Sequence, residues 1–252
     1  MECDVRIGCS GYHYKHWKGP FYPERFPASK MLAFYVQHFD TVELNTTFYR
    51  LPPKNAVEAW RAESPPGFVF AAKGSRFITH MKKLKDPAGA LDRYFEGVAP
   101  LGDKLGPIVF QLPPFWECNL DRLREFLIAL PRGHRYAFEF RNPTWHAPDV
   151  YALLEQHNAA FCPFDIAGFQ SPILTTADFA YVRLHGPGPG KYQGSYSSET
   201  LAKWGGRVEK WSKSLRAVYI YFDNDMSGFA VRDALALRKR LNLDGHMIES
   251  HK

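Results

Sequence analysis

The sequence predicts an α/β fold, a single (β/α)8 barrel of the TIM type. Three observations predict it. Eight short apolar runs, rich in β-branched and aromatic residues, recur along the 252 residues. Stretches with helical spacing separate most of them. The chain also has the length of one such barrel. Strands that alternate with helices pair in parallel and carry the helices on the outside of the sheet.

The runs are VRIGCS (5–10), TVELN (41–45), FVFAAK (68–73), PIVFQL (107–112), YAFEFR (136–141), AFCPFD (160–165), AYVRLH (180–185) and VYIYFD (218–223). After the first run, residues 29–39 place Leu32, Tyr35, Val36 and Phe39 on one helical face. Residues 55–63, 91–101, 120–130, 150–156, 198–215 and 228–241 follow the same period. Between the sixth and seventh runs, AGFQSPILTTAD is too short and broken for a full helix. An irregular sixth unit, a turn or a single helical turn, is expected there. No linker or change of composition divides the chain, so one barrel domain is expected over residues 1–245. The closing residues lack periodicity, and a disordered tail is expected over 246–252.

Hydrophobic residues make up 45% and charged residues 23%, which excludes the disordered and membrane-spanning classes. The opening MECDVRIG reads as a strand rather than a secretory leader. No apolar run has the length to cross a bilayer, so a cytoplasmic chain without a membrane partner is expected. Cys3, Cys9, Cys118 and Cys162 form no CxxC pair, which suits reduced thiols, buried for Cys9 and Cys162. The net charge of +6 suits an anionic partner such as nucleic acid, a nucleotide or a phosphorylated metabolite, and equally a merely basic surface. The oligomeric state has no signature in the sequence.

Side chains alternate along a strand, so one parity faces the helices and the other the interior. Val42 and Leu44 face outward, which sends Glu43 and Asn45 in. The same parity turns Glu139, Arg141, Arg183, His185, Tyr219, Tyr221 and Asp223 inward. Arg6, Gly8 and Ser10 join them from the first run, with Lys73, Gln111 and Asp165 from the third, fourth and sixth. Barrel interiors are ordinarily filled by branched apolar side chains. Isolated buried charges cost several kcal/mol each, so this set must pair, reach water or bind something. One reading is a lattice of ion pairs that plugs the barrel. The other makes deep pairs structural, such as Arg6 with an acid, and gives the upper ring to a ligand.

These residues lie in motifs that carry a family resemblance. IGCSGYHYKHWKGPFYP and LAFYVQHFDTVELNTTFYRLP are followed by FVFAAKGSRFITH, GPIVFQLPPFW and YAFEFRNPTW. YVRLHG with KYQGSY, and then YIYFDNDMSGFAVRDALAL, complete the order. Over residues 7–241 the chain resembles the YecE-like family, the domain of unknown function numbered 72. The resemblance implies a (β/α)8 barrel but no reaction, since none is established for that family. Its kinship to endonuclease IV-like barrels, and hence to DNA binding, is an inference. The chain departs from the family pattern at Asp223, where Asn is common.

Four constellations could carry chemistry. Barrels often bind phosphate in the loops after strands seven and eight. Here GPGPGKYQGSYS supplies glycine amides with Lys191, Tyr192 and Tyr196, above Arg183 and His185. Lys73, Arg76 and Arg141 complete a cationic rim. The alternative is a structural loop with a solvated lysine. Second, Tyr12, Tyr14, Trp17, Tyr49, Trp116 and Trp145 follow strand ends, with Phe48 and Phe115. Such rings suit bases or sugars, or simply pack loops. Third, Glu43, Glu139, Asp165, His185 and Asp223 offer oxygen ligands and one imidazole. No HxH or HExxH spacing supports zinc, a divalent metal stays open, and no cofactor is assigned. Fourth, the same five residues are the catalytic candidates. Asp165 is the preferred base, because Glu139 beside Arg141 is held ionised. His185 is the strand-end group expected to titrate near neutrality.

The reading these features favour is a barrel that binds nucleic acid or a nucleotide-like anion, as a hydrolase or repair-type enzyme of phosphodiester or related bonds. The alternatives are an enzyme acting on a small phosphorylated metabolite or sugar, and a non-catalytic binding protein.

Overall fold

Strand and helix alternate as the periodicity predicts across residues 2–243, the residues described in a computed structural model of the chain. The strands are β1 (Asp4–Ser10), β2 (Thr41–Leu44), β3 (Val69–Lys73), β4 (Leu105–Leu112), β5 (Tyr136–Phe140), β6 (Ala160–Phe161), β7 (Phe164–Ile166), β8 (Phe169–Gln170), β9 (Phe179–Leu184) and β10 (Ala217–Phe222). They form one curled sheet in the order β6-β5-β4-β3-β2-β1-β10-β9-β7-β8. Every pairing is parallel except β7 with β8.

The expected barrel of eight strands is corrected: the strands form a curled, mostly parallel sheet of ten rather than a closed barrel of eight, and the departure lies at the sixth run. Residues 160–165 divide around Cys162 and Pro163, so β6 pairs with β5 and β7 pairs with β9. Proline has no N–H to give to a ladder, and it interrupts a strand at that point. The backbone still bridges the break. Cys162 N–H donates to Phe138 O at 2.8 Å, and Arg183 N–H donates to Pro163 O at 3.0 Å. The irregular sixth unit is a hairpin, with Asp165 opposite Gln170 and Ile166 opposite Phe169. Its two loop residues, Ala167 and Gly168, both have positive φ, 49° and 83°. A two-residue hairpin loop of this twist demands that backbone at both positions, which is why glycine stands at one.

The helices are α1 (Met31–Tyr35), α2 (Thr46–Tyr49), α3 (Lys54–Glu63), α4 (Ala88–Val98), α5 (Leu120–Ala129), α6 (Pro148–Gln156), α7 (Ser198–Trp211) and α8 (Phe229–Arg240). Helix α1 is shorter than the expected 29–39, because a 3-10 turn at Ala28–Lys30 opens the segment. The helix expected over 91–101 starts and ends earlier. Pro100 then lies in a 3-10 segment, Ala99–Lys104, broken by Gly102 at φ 57°. Asn119 and Ser197 cap α5 and α7 by accepting from Arg122 N–H and Thr200 N–H. Helix α2 and a π-helical turn at Phe77–Met81 were not expected from periodicity, being too short to show a period.

Alternation places the core as the sequence predicts. Val218, Ile220 and Phe222 of β10 pack outward against helices, in one cluster with Trp204, Val231 and Leu237. Tyr219 and Tyr221 turn inward beside Ala71, Val109, Ala137, Cys162 and Tyr181. Small residues on one side of the interior leave room for tyrosines from the other. At the N-terminal end, Arg6 pairs with Asp4 at 2.7 Å and Asp40 at 3.5 Å, away from the ring that closes the other end. The four cysteines are free thiols, with Cys9 and Cys162 buried. Among the described residues no helix is long and apolar enough to cross a membrane. The tail expected over 246–252 lies outside the described residues.

Candidate functional site

The C-terminal ends of the strands deliver their charged side chains to one point, and Arg183 of β9 stands at its centre. Arg183 is fully buried, as are Glu43 of β2 and Glu139 of β5. Its Nε donates to Glu43 Oε2 at 3.0 Å and its Nη2 to Glu43 Oε1 at 2.8 Å. Nη1 donates to Glu139 Oε2 at 2.8 Å, and Nη2 also donates to Asp223 Oδ2 at 2.9 Å. One planar guanidinium thus answers three carboxylates from three strands. Glu43 is satisfied further by Tyr181 Oη, which donates at 2.5 Å, and by Ser10 Oγ. Asn45 Nδ2 donates to Ser10 Oγ at 2.8 Å. Arg141 Nε donates to Glu139 Oε1 at 2.5 Å.

The electrostatics follow. Burial pushes the Glu139 carboxyl up, but Arg141, Arg183 and His185 outweigh it and hold the group well below the usual carboxylate range. Burial likewise opposes Arg183 and His185 at Asp223, whose pKa is still lowered. At His185, Nδ1 lies 2.9 Å from Asp223 Oδ2, out of line for a good hydrogen bond. Arg141 Nη2 at 3.2 Å and Arg183 Nη1 at 3.4 Å face its Nε2. Glu139 Oε2 lies 3.4 Å from the same nitrogen, so Nε2 meets guanidinium and carboxylate together.

Asp165 sits apart from this cluster. Its Oδ1 accepts from Tyr196 Oη at 2.5 Å and from His185 N–H at 3.0 Å. Burial raises its pKa against the pull of Tyr196 and His185. Tyr196 Oη accepts from Gly186 N–H at 2.8 Å, and Tyr196 N–H donates to Asp233 Oδ2 at 2.9 Å. The glycine-rich loop is therefore tied down from below. It also folds on itself: Gly188 N–H donates to Gln193 O at 2.9 Å. A Cβ at Gly186, where φ is 105°, would stand 2.3 Å from Gln193 O. The expectation of free glycine amides is corrected for Gly186 and Gly188, whose N–H groups are spent within the loop. Lys191 is exposed, and the Tyr192 ring meets that of His185 edge to face, with centroids 5.7 Å apart.

The aromatic candidates separate by burial. Trp17 and Trp145 are fully buried and Tyr196 nearly so. Trp17 Nε1 donates to Asp225 O at 2.8 Å, and Trp145 stacks on Phe140 at 5.0 Å. Their rings are consumed by packing and are corrected from stacking platforms to core. Tyr14 donates to Ser10 O at 2.7 Å beneath the loop after β1. Tyr12 and Trp116 are half-buried, and Tyr49 is 79% exposed. Phe77, Met81, Phe115, Phe169 and Met226 are exposed as well. Arg50, Arg76, Lys83, Lys85 and Lys191 are exposed too.

Lys73 differs from the other ring cations. It is buried, yet among the described residues its Nζ makes no ion pair and no hydrogen bond, and it lies 4.3 Å from the centroid of the Phe48 ring. Gln111 is buried and donates to Leu112 O at 2.8 Å. Among the described residues no group of three His, Cys, Asp or Glu side chains is arranged to hold a metal ion. The acids turn to Arg183 instead.

Sequence reasoning missed Tyr181, Asp233 and the pairing of Phe48 with His80. Asp233 carried a signal, because it interrupts the apolar face of α8 formed by Ala230, Val231, Ala234 and Leu237. A lone acid on such a face must find donors, and it finds Ser195, Tyr196 and Asn224.

Comparison with known proteins agrees with this architecture. Residues 6–252 match the family model described as protein of unknown function DUF72. The chain is 24% identical over 260 residues to the UPF0759 protein YunF of Bacillus subtilis, covering 88% of this chain and 90% of that protein. It is 33% identical over 114 residues to the UPF0759 protein YecE of Escherichia coli, covering 45% of this chain and 42% of that one. A crystal structure of a DUF72 family protein from Thermotoga maritima superposes with a TM-score of 0.86 at 29% identity, covering 95% of this chain and 99% of that one. One from Enterococcus faecalis, at 21% identity and a TM-score of 0.82 over 94% of this chain and 95% of that one, shares the fold.

Proposed function

We propose, for a chain that belongs to the DUF72 family of unknown function, that the C-terminal face binds nucleic acid or a nucleotide-like anion. The observation that carries this reading is the exposed rim. Tyr49, Phe77 and Phe115 are exposed in the segments after β2, β3 and β4, and Phe169 is exposed in the hairpin strand β8, with Arg50, Arg76, Lys83 and Lys191 exposed in segments that also follow strands. Large apolar rings in water are costly unless a partner covers them. Rings that stack bases, set among cations that meet phosphates, suit a strand of nucleotides. The floor adds little net attraction, because Glu43, Glu139 and Asp223 are answered by Arg183 and Arg141.

A hydrolase of phosphodiester or related bonds built on this face would draw on Asp165 and His185. Glu139 is held ionised by Arg141 and Arg183, whereas burial raises the Asp165 pKa toward that of a working base. A second reading, a small phosphorylated metabolite, is favoured by Lys73, a buried cation that makes no ion pair among the described residues.

Fluorescence anisotropy with labelled single-stranded and duplex oligonucleotides tests the reading. Binding is expected at low salt, with log K falling linearly as log salt rises. Undetectable binding at low salt, or binding indifferent to salt, would overturn it.

A further inference from the structure

The geometry points to Lys73 as a carbonyl-reactive amine, one that forms an imine with a small aldehyde or ketone carrying a phosphate. The inference rests on the proposed anion-binding face, because neighbouring cations have to hold the phosphate.

Lys73 ends β3 on a fixed backbone. Thr47 Oγ1 donates to its carbonyl at 2.7 Å, and Gly74 N–H donates to Val109 O at 2.8 Å. Gly74 has no space for a side chain, since a Cβ would stand 2.3 Å from the Phe110 ring. The lysine stem is thereby aimed along one course, and its amine comes to rest over Phe48. Arg183 and Arg141 are neutralised by carboxylates at 2.9 Å or less. Lys73 alone of the inward-facing cations at this end has no such partner among the described residues.

An amine in that position loses much of its preference for the proton. Burial, then Arg183, push it down to about 8, against the pull of Glu139, Asp223 and Glu43. The neutral amine is the nucleophile, and burial is how proteins make it available. Phe48 touches a second group, His80, at 5.1 Å between ring centroids. Burial, then Lys73, Arg76 and Arg141, lower His80 to about 4, so it is a neutral base at neutral pH. The same three cations lie close enough to that imidazole to act on its charge. Arg76 and Arg141 are the cations assigned to hold the phosphate of the bound carbonyl compound.

The step balances without an oxidant or reductant. The Lys73 nitrogen pair attacks the carbonyl carbon, forming a C–N bond while the C=O π pair moves to oxygen. One nitrogen proton passes to that oxygen, with the neutral His80 imidazole as its carrier. The second nitrogen proton passes to the hydroxyl, which leaves as water as the C=N bond forms. The Phe48 face excludes water and favours the dehydrated imine.

The test incubates the full chain with glyceraldehyde 3-phosphate and sodium cyanoborohydride, which reduces an imine to a stable amine, and maps the adduct by peptide mass spectrometry. Lys73 is expected to be modified more than about tenfold faster than any exposed lysine, because more of it is unprotonated. The rate should rise with pH and level off above about 8. Inorganic phosphate should compete. Lys73→Met should remove the adduct while an unchanged circular dichroism spectrum reports folding. Adducts spread over Lys83, Lys85 and Lys191 with Lys73 spared would overturn the inference. If Lys73 is spared but oligonucleotides still bind with the expected salt dependence, the amine fails and the anion-binding face stands. If neither occurs, both fall.

Discussion

Arg183 reaches Glu43 through Nε and Nη2 together, at 3.0 and 2.8 Å, with both side chains fully out of solvent. The pair joins β9 to β2 across the interior, and the remaining guanidinium nitrogen joins β5. A single cation therefore compensates acids that three separate strands bring inward. Removing it strands those charges without water. Arg183→Met is expected to destabilise the fold by about 3–5 kcal/mol, measured by denaturant unfolding, with Glu43→Gln restoring part of the loss in the double variant. Equal stability of wild type and Arg183→Met would show that the carboxylates find other partners.

The same network sets an acid limit. The pKa values of Glu139 and Asp223 are lowered in the folded state by Arg183, Arg141 and His185, against the effect of burial. A lowered native value stabilises the fold at any pH above the unfolded one, about 4 for carboxylates. Stability should be flat from neutral pH down to that value, then fall as pH drops through the native pKa values. Thermal unfolding followed from pH 7 to pH 2 measures it. Glu139→Gln should flatten the acid limb.

Tyr196 ties the glycine-rich loop to β7. Its hydroxyl donates to Asp165 and accepts from Gly186 N–H. Tyr196→Phe is expected to cost about 1–3 kcal/mol. It should speed amide hydrogen exchange at Gly186 more than in β9. Unchanged exchange at Gly186 would show that Gln193 alone holds the loop.

Burial separates the aromatic residues into two kinds, and substitution should separate them in the same way. Trp145→Ala removes a fully buried ring stacked on Phe140 and should cost about 3–5 kcal/mol. Tyr49→Ala and Phe115→Ala, at 79% and 88% exposure, should change stability by less than about 0.5 kcal/mol. Those two should instead weaken oligonucleotide binding in the anisotropy assay.

Arg76 and Lys191 are exposed cations on the same face. Arg76→Glu and Lys191→Glu should leave the unfolding midpoint unchanged. Each should weaken oligonucleotide binding at low salt and reduce the salt slope by about one. A reduced affinity with an unchanged slope would place the contact elsewhere than on phosphate.

Alternation along single strands was enough to determine that Glu43, Glu139, Arg183, His185 and Asp223 turn inward at one end, because side-chain direction depends only on local backbone geometry. The helices on α7 and α8 and the inward tyrosines of β10 were legible for the same reason. What lay beyond reach depended on contacts across the sheet. Pro163 was visible in the sequence, but whether the sixth run would stay whole depended on which neighbours its two halves could pair with. Trp17, Trp145 and Tyr49 follow strand ends alike, and only packing between loops distant in sequence sent two of them into the core and left the third in solvent. The charges were countable from the start. Only the tertiary structure decided that Arg183 would take the carboxylates and leave the Lys73 amine with a phenyl ring, since that choice is made by distances between β2, β3, β5 and β9, which no one strand contains.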